Sequence, residues 1–220
     1  MNKLFHYFLC PSSRFTRIIL NEKKVDFNLF IENLSDPSED YLLKNPGGYF
    51  PVLNTSFNEN IVGALVIVEY LQNLTVPPIL MIKKNENEIR RLLFWFENSF
   101  KKEVVIPLLK EKVLKRFEKN SLPSSNVIRT ARANLKYHMH YFNYLIKDND
   151  FFIEDTLSYV DLFYGASLTV LDYINELNFY DLEKLKNLYS IVKSRPSFKK
   201  ILADRVVGII PHSNYLKLDY

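Results

Sequence analysis

The spacing of apolar residues changes near residue 75, and that change limits the architectures open to the chain. Before it, runs such as Leu4-Phe5-His6-Tyr7-Phe8 and Phe27 to Ile31 have the length of strands and are separated by turn formers. After it, Ile128, Ala131, Leu135, His138, Phe142 and Leu145 step by three and four, the spacing of one helix face. A small sheet-containing first domain followed by an all-helical second domain fits this switch, and 220 residues suit two such domains.

Within the first half, Leu4 to Phe8 reads as a strand running into Cys10-Pro11-Ser12-Ser13, where small polar residues can cap a helix. That helix ends near Asn21 to Lys24 and leads to a second strand, Phe27 to Ile31, giving a βαβ start. Asn45-Pro46-Gly47-Gly48 is a turn signal. Phe50-Pro51-Val52-Leu53 and the apolar residues after Asn58-Glu59-Asn60 then make a hairpin, and Ala64 to Leu71 a helix. Leu74 to Lys84, which contains Pro77-Pro78, reads as a linker, so we place a thioredoxin-like βαβ–ββα domain at residues 1–75 and a helical bundle with a C-terminal tail at 85–220. In the second domain, Leu92, Leu93, Phe96 and Phe100 mark a helix from about Glu86 to Phe117, bent or broken at Pro107. Ser158-x-x-Asp161 has the form of a capping box at the start of a central, buried helix.

Composition removes several functions. With 29 basic and 25 acidic residues dispersed along the chain, a net charge of +4 gives no footprint for nucleic acid. One cysteine excludes an intrachain disulfide, and Met1 to His6 lacks the apolar core of a signal peptide, so a cytoplasmic protein is expected. No apolar run approaches the roughly 18 residues of a membrane span. His138 and His140 fall on different helix faces with no further ligand at metal spacing, so no metal site is expected. Neither a phosphate-binding Gly-rich loop nor a Gly-x-Ser-x-Gly elbow is present.

The order of these features, with Phe50-Pro51-Val52-Leu53 and Ser158-x-x-Asp161, resembles the glutathione transferases along nearly the whole chain. The resemblance implies a cis bond before Pro51 and a Val52 backbone that pairs with the cysteinyl part of glutathione. It also implies an acid and a serine before the third helix, but Gly63 and Ala64 stand there, and each lost charge-assisted hydrogen bond is worth about 1.5–3 kcal/mol. The second half is similar to one branch of the family, the FtsZ-localised, transferase-like cell-division proteins of alphaproteobacteria. The similarity lies in Arg90-Arg91-Leu92 with Trp95-Phe96, Glu111 to Arg116, Arg129-x-Ala131-Arg132-Ala133-Asn134-Leu135, Ser194 to Phe198, and Leu202 to Val206. This branch implies binding to the FtsZ polymer at the division site, with bundling or curving of filaments, and the wider family implies a homodimer; with Gly63 and Ala64 in place of the acid and serine, neither glutathione nor another cofactor is expected.

Two places could carry such functions. The tail from Gly208 to Tyr220 is the first: Pro211, Tyr215, Leu218, Asp219 and Tyr220 are the expected partner-binding residues, although a tail folded back on its own domain satisfies the same pattern. The second is the cleft around Cys10 and Pro51. Cys10 precedes a helix start, where partial positive charge favours a thiolate, and under the alternative of a glutathione-dependent thiol transferase it would be the nucleophile. The other reading makes Cys10 a small, partly buried residue where relatives carry serine. Tyr7 is expected to pack rather than to activate a thiol.

Overall fold

A computed structural model describes residues 1–33, 36–74, 77–118, 121–147 and 149–218. Its first half is a four-stranded sheet in the order β2-β1-β3-β4, formed by β1 (Asn2–His6), β2 (Phe27–Ile31), β3 (Val52–Asn54) and β4 (Asn60–Val62). β1 and β2 run parallel, joined by α1 (Pro11–Glu22), while β3 pairs antiparallel with both β1 and β4, which gives the expected βαβ unit and hairpin. The first strand begins and ends two residues earlier than its apolar run suggests. Tyr7 and Phe8 instead form a turn, closed by the Cys10 amide donating to the Tyr7 carbonyl at 3.2 Å. A short helix not anticipated from the sequence, α2 (Glu39–Lys44), follows β2 and is capped by Ser38, whose hydroxyl accepts from the Tyr41 amide at 3.2 Å. α3 (Ala64–Asn73) completes this half.

The second half is helical. α4 (Glu86–Phe94) passes directly into a π-helical segment, Trp95–Val105, and then into α5 (Ile106–Lys112). Pro107 therefore neither ends the helix nor stands inside regular α-helix. It occupies the first turn of α5, where a missing amide is tolerated. The Glu103 carbonyl, near the end of the π segment, accepts from the Asn134 side chain at 3.2 Å. Asn134 lies on α6 (Ser125–Ile146), which is followed by α7 (Tyr159–Tyr173), α8 (Glu183–Lys193) and α9 (Pro196–Leu202).

The capping box is present: Asp161 accepts from the Ser158 amide at 2.7 Å and hydroxyl at 2.8 Å, and also from the Phe152 amide at 2.9 Å. Burial pushes the Asp161 carboxyl up to about 6. Every residue of α7 is buried. Phe15 of α1 stacks on Phe163 with ring centres 4.4 Å apart, and Phe96 packs against Phe142 and Phe163, so one apolar core runs through both halves.

Candidate functional site

The cleft that sequence reasoning marks lies where β1, α1 and β3 meet. The Phe50–Pro51 bond is cis, as the resemblance implies. Cys10 is the residue before α1 and makes no side-chain capping bond. Its side chain is 7% exposed and belongs to a small apolar cluster with Phe5, Tyr41, Phe50 and Val52. Tyr41 stacks on Phe50 at 4.9 Å, and its hydroxyl donates to the Tyr49 carbonyl while accepting from the Asn45 side chain at 3.2 Å. The thiol thus shares its cluster with aromatic rings, of which Tyr41 is fixed by hydrogen bonds.

The helical half closes the same region from its side. Buried Ser12, in the first turn of α1, donates to Glu97 at 2.6 Å and accepts from Lys101 at 2.9 Å, and Glu97 and Lys101 pair with each other. Both charged residues come from the π segment. These ions tie the first turn of α1 to the continuation of α4.

Two expectations for this cleft change. Val52 stands between Phe5 of β1 and Val62 of β4 in the sheet, so its backbone is committed to the ladder and is not free to pair with glutathione. Gly63, read as a lost anchor, has a backbone role: it sits at φ +88, where any side chain is strained, and its amide donates to the Pro51 carbonyl at 2.8 Å. These residues fit glutathione poorly. The Tyr7 hydroxyl is pushed up chiefly by burial, the opposite of what activating a thiol requires.

His138 is buried and structural: its Nδ1 accepts from Trp95 Nε1 at 3.0 Å, which leaves Nε2 to donate to Glu103 at 3.1 Å. Burial lowers its pKa against the opposing effect of Glu103. Among the described residues no group of His, Cys, Asp and Glu side chains could hold a metal, and no helix is long and apolar enough to cross a membrane.

The tail corrects one expectation more sharply. Tyr215 is 0% exposed, lies edge-on to Tyr173 with centres 5.0 Å apart, and is faced by the Arg14 guanidinium and the Lys193 ammonium. Its hydroxyl donates to the Ile201 carbonyl at 3.3 Å. Lys193 also holds the Lys217 carbonyl at 2.7 Å and the buried Asp172 carboxylate at 2.8 Å. Tyr215 is therefore an anchor and presents no surface to a partner. Pro211 is half-buried and Leu218 exposed; Asp219 and Tyr220 lie outside the described residues.

The motifs quoted for the branch resemblance serve internal docking. Arg195 forks onto Glu22 of α1 at 2.7 and 2.8 Å, joined there by Ser197 at 2.6 Å, and Asp204 takes Arg17. Arg132 forks onto Glu176, and Glu111 accepts from Lys115 and from the Ser124 amide. Sequence reasoning found these residues by similarity, while their partners, far off in the chain, carried no local signal.

A thioredoxin-like half with a cis-proline, joined to a bundle around a fully buried helix, defines a two-domain protein of transferase architecture. The chain belongs to the glutathione S-transferase family: residues 4–78 match the family described as Glutathione S-transferase, N-terminal domain, and residues 111–205 match Glutathione S-transferase, C-terminal domain. It is 34% identical over 222 aligned residues to FtsZ-localized protein A of Caulobacter vibrioides, covering 99% of this chain and 97% of that one. Among solved structures, a glutathione S-transferase from Rhodospirillum rubrum superposes with a TM-score of 0.94 at 35% identity, covering all of both chains. FzlA from C. crescentus superposes with a TM-score of 0.92 at 33% identity, covering 100% of this chain and 99% of that one.

Proposed function

We propose that this chain is a dimeric binding protein of cell division that associates with the FtsZ polymer and does not use glutathione. The observation that carries the reading is the end-to-end similarity to a protein named for its localisation with FtsZ. The cleft supports it: a buried Cys10, a committed Val52 backbone, and the Ser12–Glu97–Lys101 cluster leave little for a thiol substrate to hold. In this reading the protein acts in the cytoplasm at the division site. A two-fold homodimer presents two copies of the partner surface, and paired weak contacts on one polymer raise effective concentration enough to bundle or curve filaments. The end of the tail, with Pro211, Leu218, Asp219 and Tyr220, is the partner surface of this reading, and Tyr215 fixes its root.

Purified protein spun with polymerised FtsZ from the same cell, with glutathione calorimetry on the same preparation, tests this. Co-sedimentation without heat from glutathione is expected. Micromolar glutathione binding without co-sedimentation would overturn the reading in favour of a thiol transferase acting through Cys10, the alternative favoured by the position of that thiol directly before α1.

A further inference from the structure

Residues 206–210 form a tight turn: Val206 bridges to Ile209, whose amide donates to the Val206 carbonyl at 3.1 Å. The turn is held from beneath by one side chain. The Tyr173 hydroxyl accepts from the Val206 amide at 3.1 Å and donates to the Ile209 carbonyl at 3.0 Å, and the His212 amide returns to the Tyr173 carbonyl at 3.2 Å. Gly208, at φ +77, lets the turn lie against Phe117, for a Cβ there would come within 3.2 Å of that ring. So rooted, the turn pushes Val207 and Ile210 into water at 90% and 91% exposure, and Phe117 against it is exposed too. A rigid cluster of exposed apolar side chains is the mark of an interaction surface rather than of a loose loop.

Basic side chains adjoin the cluster. A recess of about 290 Å³ adjoins it, lined by Lys112, Val113, Arg116, Ile209, Ile210 and His212 among others. Lys112 is committed to Glu176 and the Ile174 carbonyl, but Arg116 and His212 have no side-chain hydrogen bond within the described residues. Three nearby carboxylates are taken, Glu111 by Lys115 and Ser124, Glu176 by Arg132 and Lys112, and Asp204 by Arg17, while Glu118, beside Phe117 on the side away from Arg116 in the chain, stands exposed. We infer that Arg116, His212 and the Phe117–Val207–Ile210 cluster form a docking site for a linear peptide in which acidic residues flank an apolar side chain. The apolar side chain covers the cluster and enters the recess, and a carboxylate takes the planar fork of Arg116. A lipid surface fits less well, since binding anionic membranes takes a cluster of about four to eight basic side chains and only two uncommitted ones are here. The inference names a peptide chemistry and stands apart from the FtsZ reading.

The test is selection of a random linear-peptide display library on the full-length chain, in the absence of FtsZ. Enriched peptides are expected to carry Asp or Glu beside Phe, Leu or Ile. Made synthetically, the leading peptide should bind at least about tenfold more weakly to Arg116→Glu and to Ile210→Asp, as for substitutions at the centre of a contact. Both side chains are exposed, so melting should not change. A lack of enrichment, peptides without acidic residues, or binding indifferent to both variants would overturn the proposal. So would co-sedimentation with phosphatidylglycerol–phosphatidylcholine vesicles, abolished by Ile210→Asp, in a chain that selects no peptide.

Discussion

Arg17 holds both carboxylate oxygens of Asp204, at 2.5 and 2.9 Å, and both side chains are almost sealed from water. The pair joins the first helix of the sheet domain to the segment after α9, and removing one partner leaves a buried charge alone. Arg17→Met is expected to cost about 3–5 kcal/mol, whereas Arg17→Met with Asp204→Leu should recover most of that loss. Urea unfolding of the three proteins checks it, and equal stability of single and double variants would show that the pair is not coupled.

The tail divides into an anchor and an exposed end, and substitutions should separate them. Tyr215→Ala is expected to cost about 3–5 kcal/mol by opening a cavity, and Tyr215→Phe only about 1 kcal/mol for its hydroxyl bond. Leu218→Ala should leave melting unchanged and weaken co-sedimentation with FtsZ. If Leu218→Ala binds like the parent while truncation after Lys217 does not, the contact lies beyond Leu218.

Much of the architecture is legible in the sequence because local rules specify it. The strand-to-helix start at Cys10-Pro11, the hairpin around Asn58 and the capping box at Ser158 all depend on near neighbours. The start of α2 was signalled too, by Ser38 before Glu39 and Asp40, but the stronger Asn45-Pro46-Gly47 turn masked it. The cleft's closure from the helical side was not legible: Ser12 and Glu97 are 85 residues apart, and neither type nor spacing announces their meeting. Nor does spacing reveal the π register, because Leu92, Leu93, Phe96 and Phe100 suit an α-helix equally. The tail shows a further limit. An apolar residue covered by its own domain and one offered to a partner look alike in sequence, and Tyr215 and Ile210 fall on opposite sides of that division.

His6 supplies a pH dependence. Burial, aided by the nearby Arg17 charge, holds its imidazole down to about 3, while the unfolded chain takes up a proton near 6.5. A depressed folded-state pKa gives stability that is complete above 6.5 and is lost as pH falls toward 3. The difference in unfolding free energy between the parent and His6→Phe should therefore shift, against the parent, by about 1.4 kcal/mol per pH unit below 6.5. Comparing the two proteins cancels the other titrating groups. A difference independent of pH from 7 to 4 would mean that His6 takes up its proton as readily in the folded protein as in the unfolded chain.

Cys10→Ser tests the cleft. In a division protein it should change neither FtsZ co-sedimentation nor, beyond about 1 kcal/mol, stability; in a thiol transferase it should abolish turnover.

All of α7, from Tyr159 to Tyr173, is enclosed, and part of its cover is α1, whose Phe15 lies flat on Phe163. A helix with no face toward water has no independent existence, so the bundle cannot be completed until the sheet domain has supplied a wall of it. Although the chain reads as two modules in succession, there is no seam along which to cut it. A fragment ending near residue 78 would leave Phe15 bare and a fragment beginning after it would leave α7 uncovered, so the whole molecule should melt in a single cooperative transition.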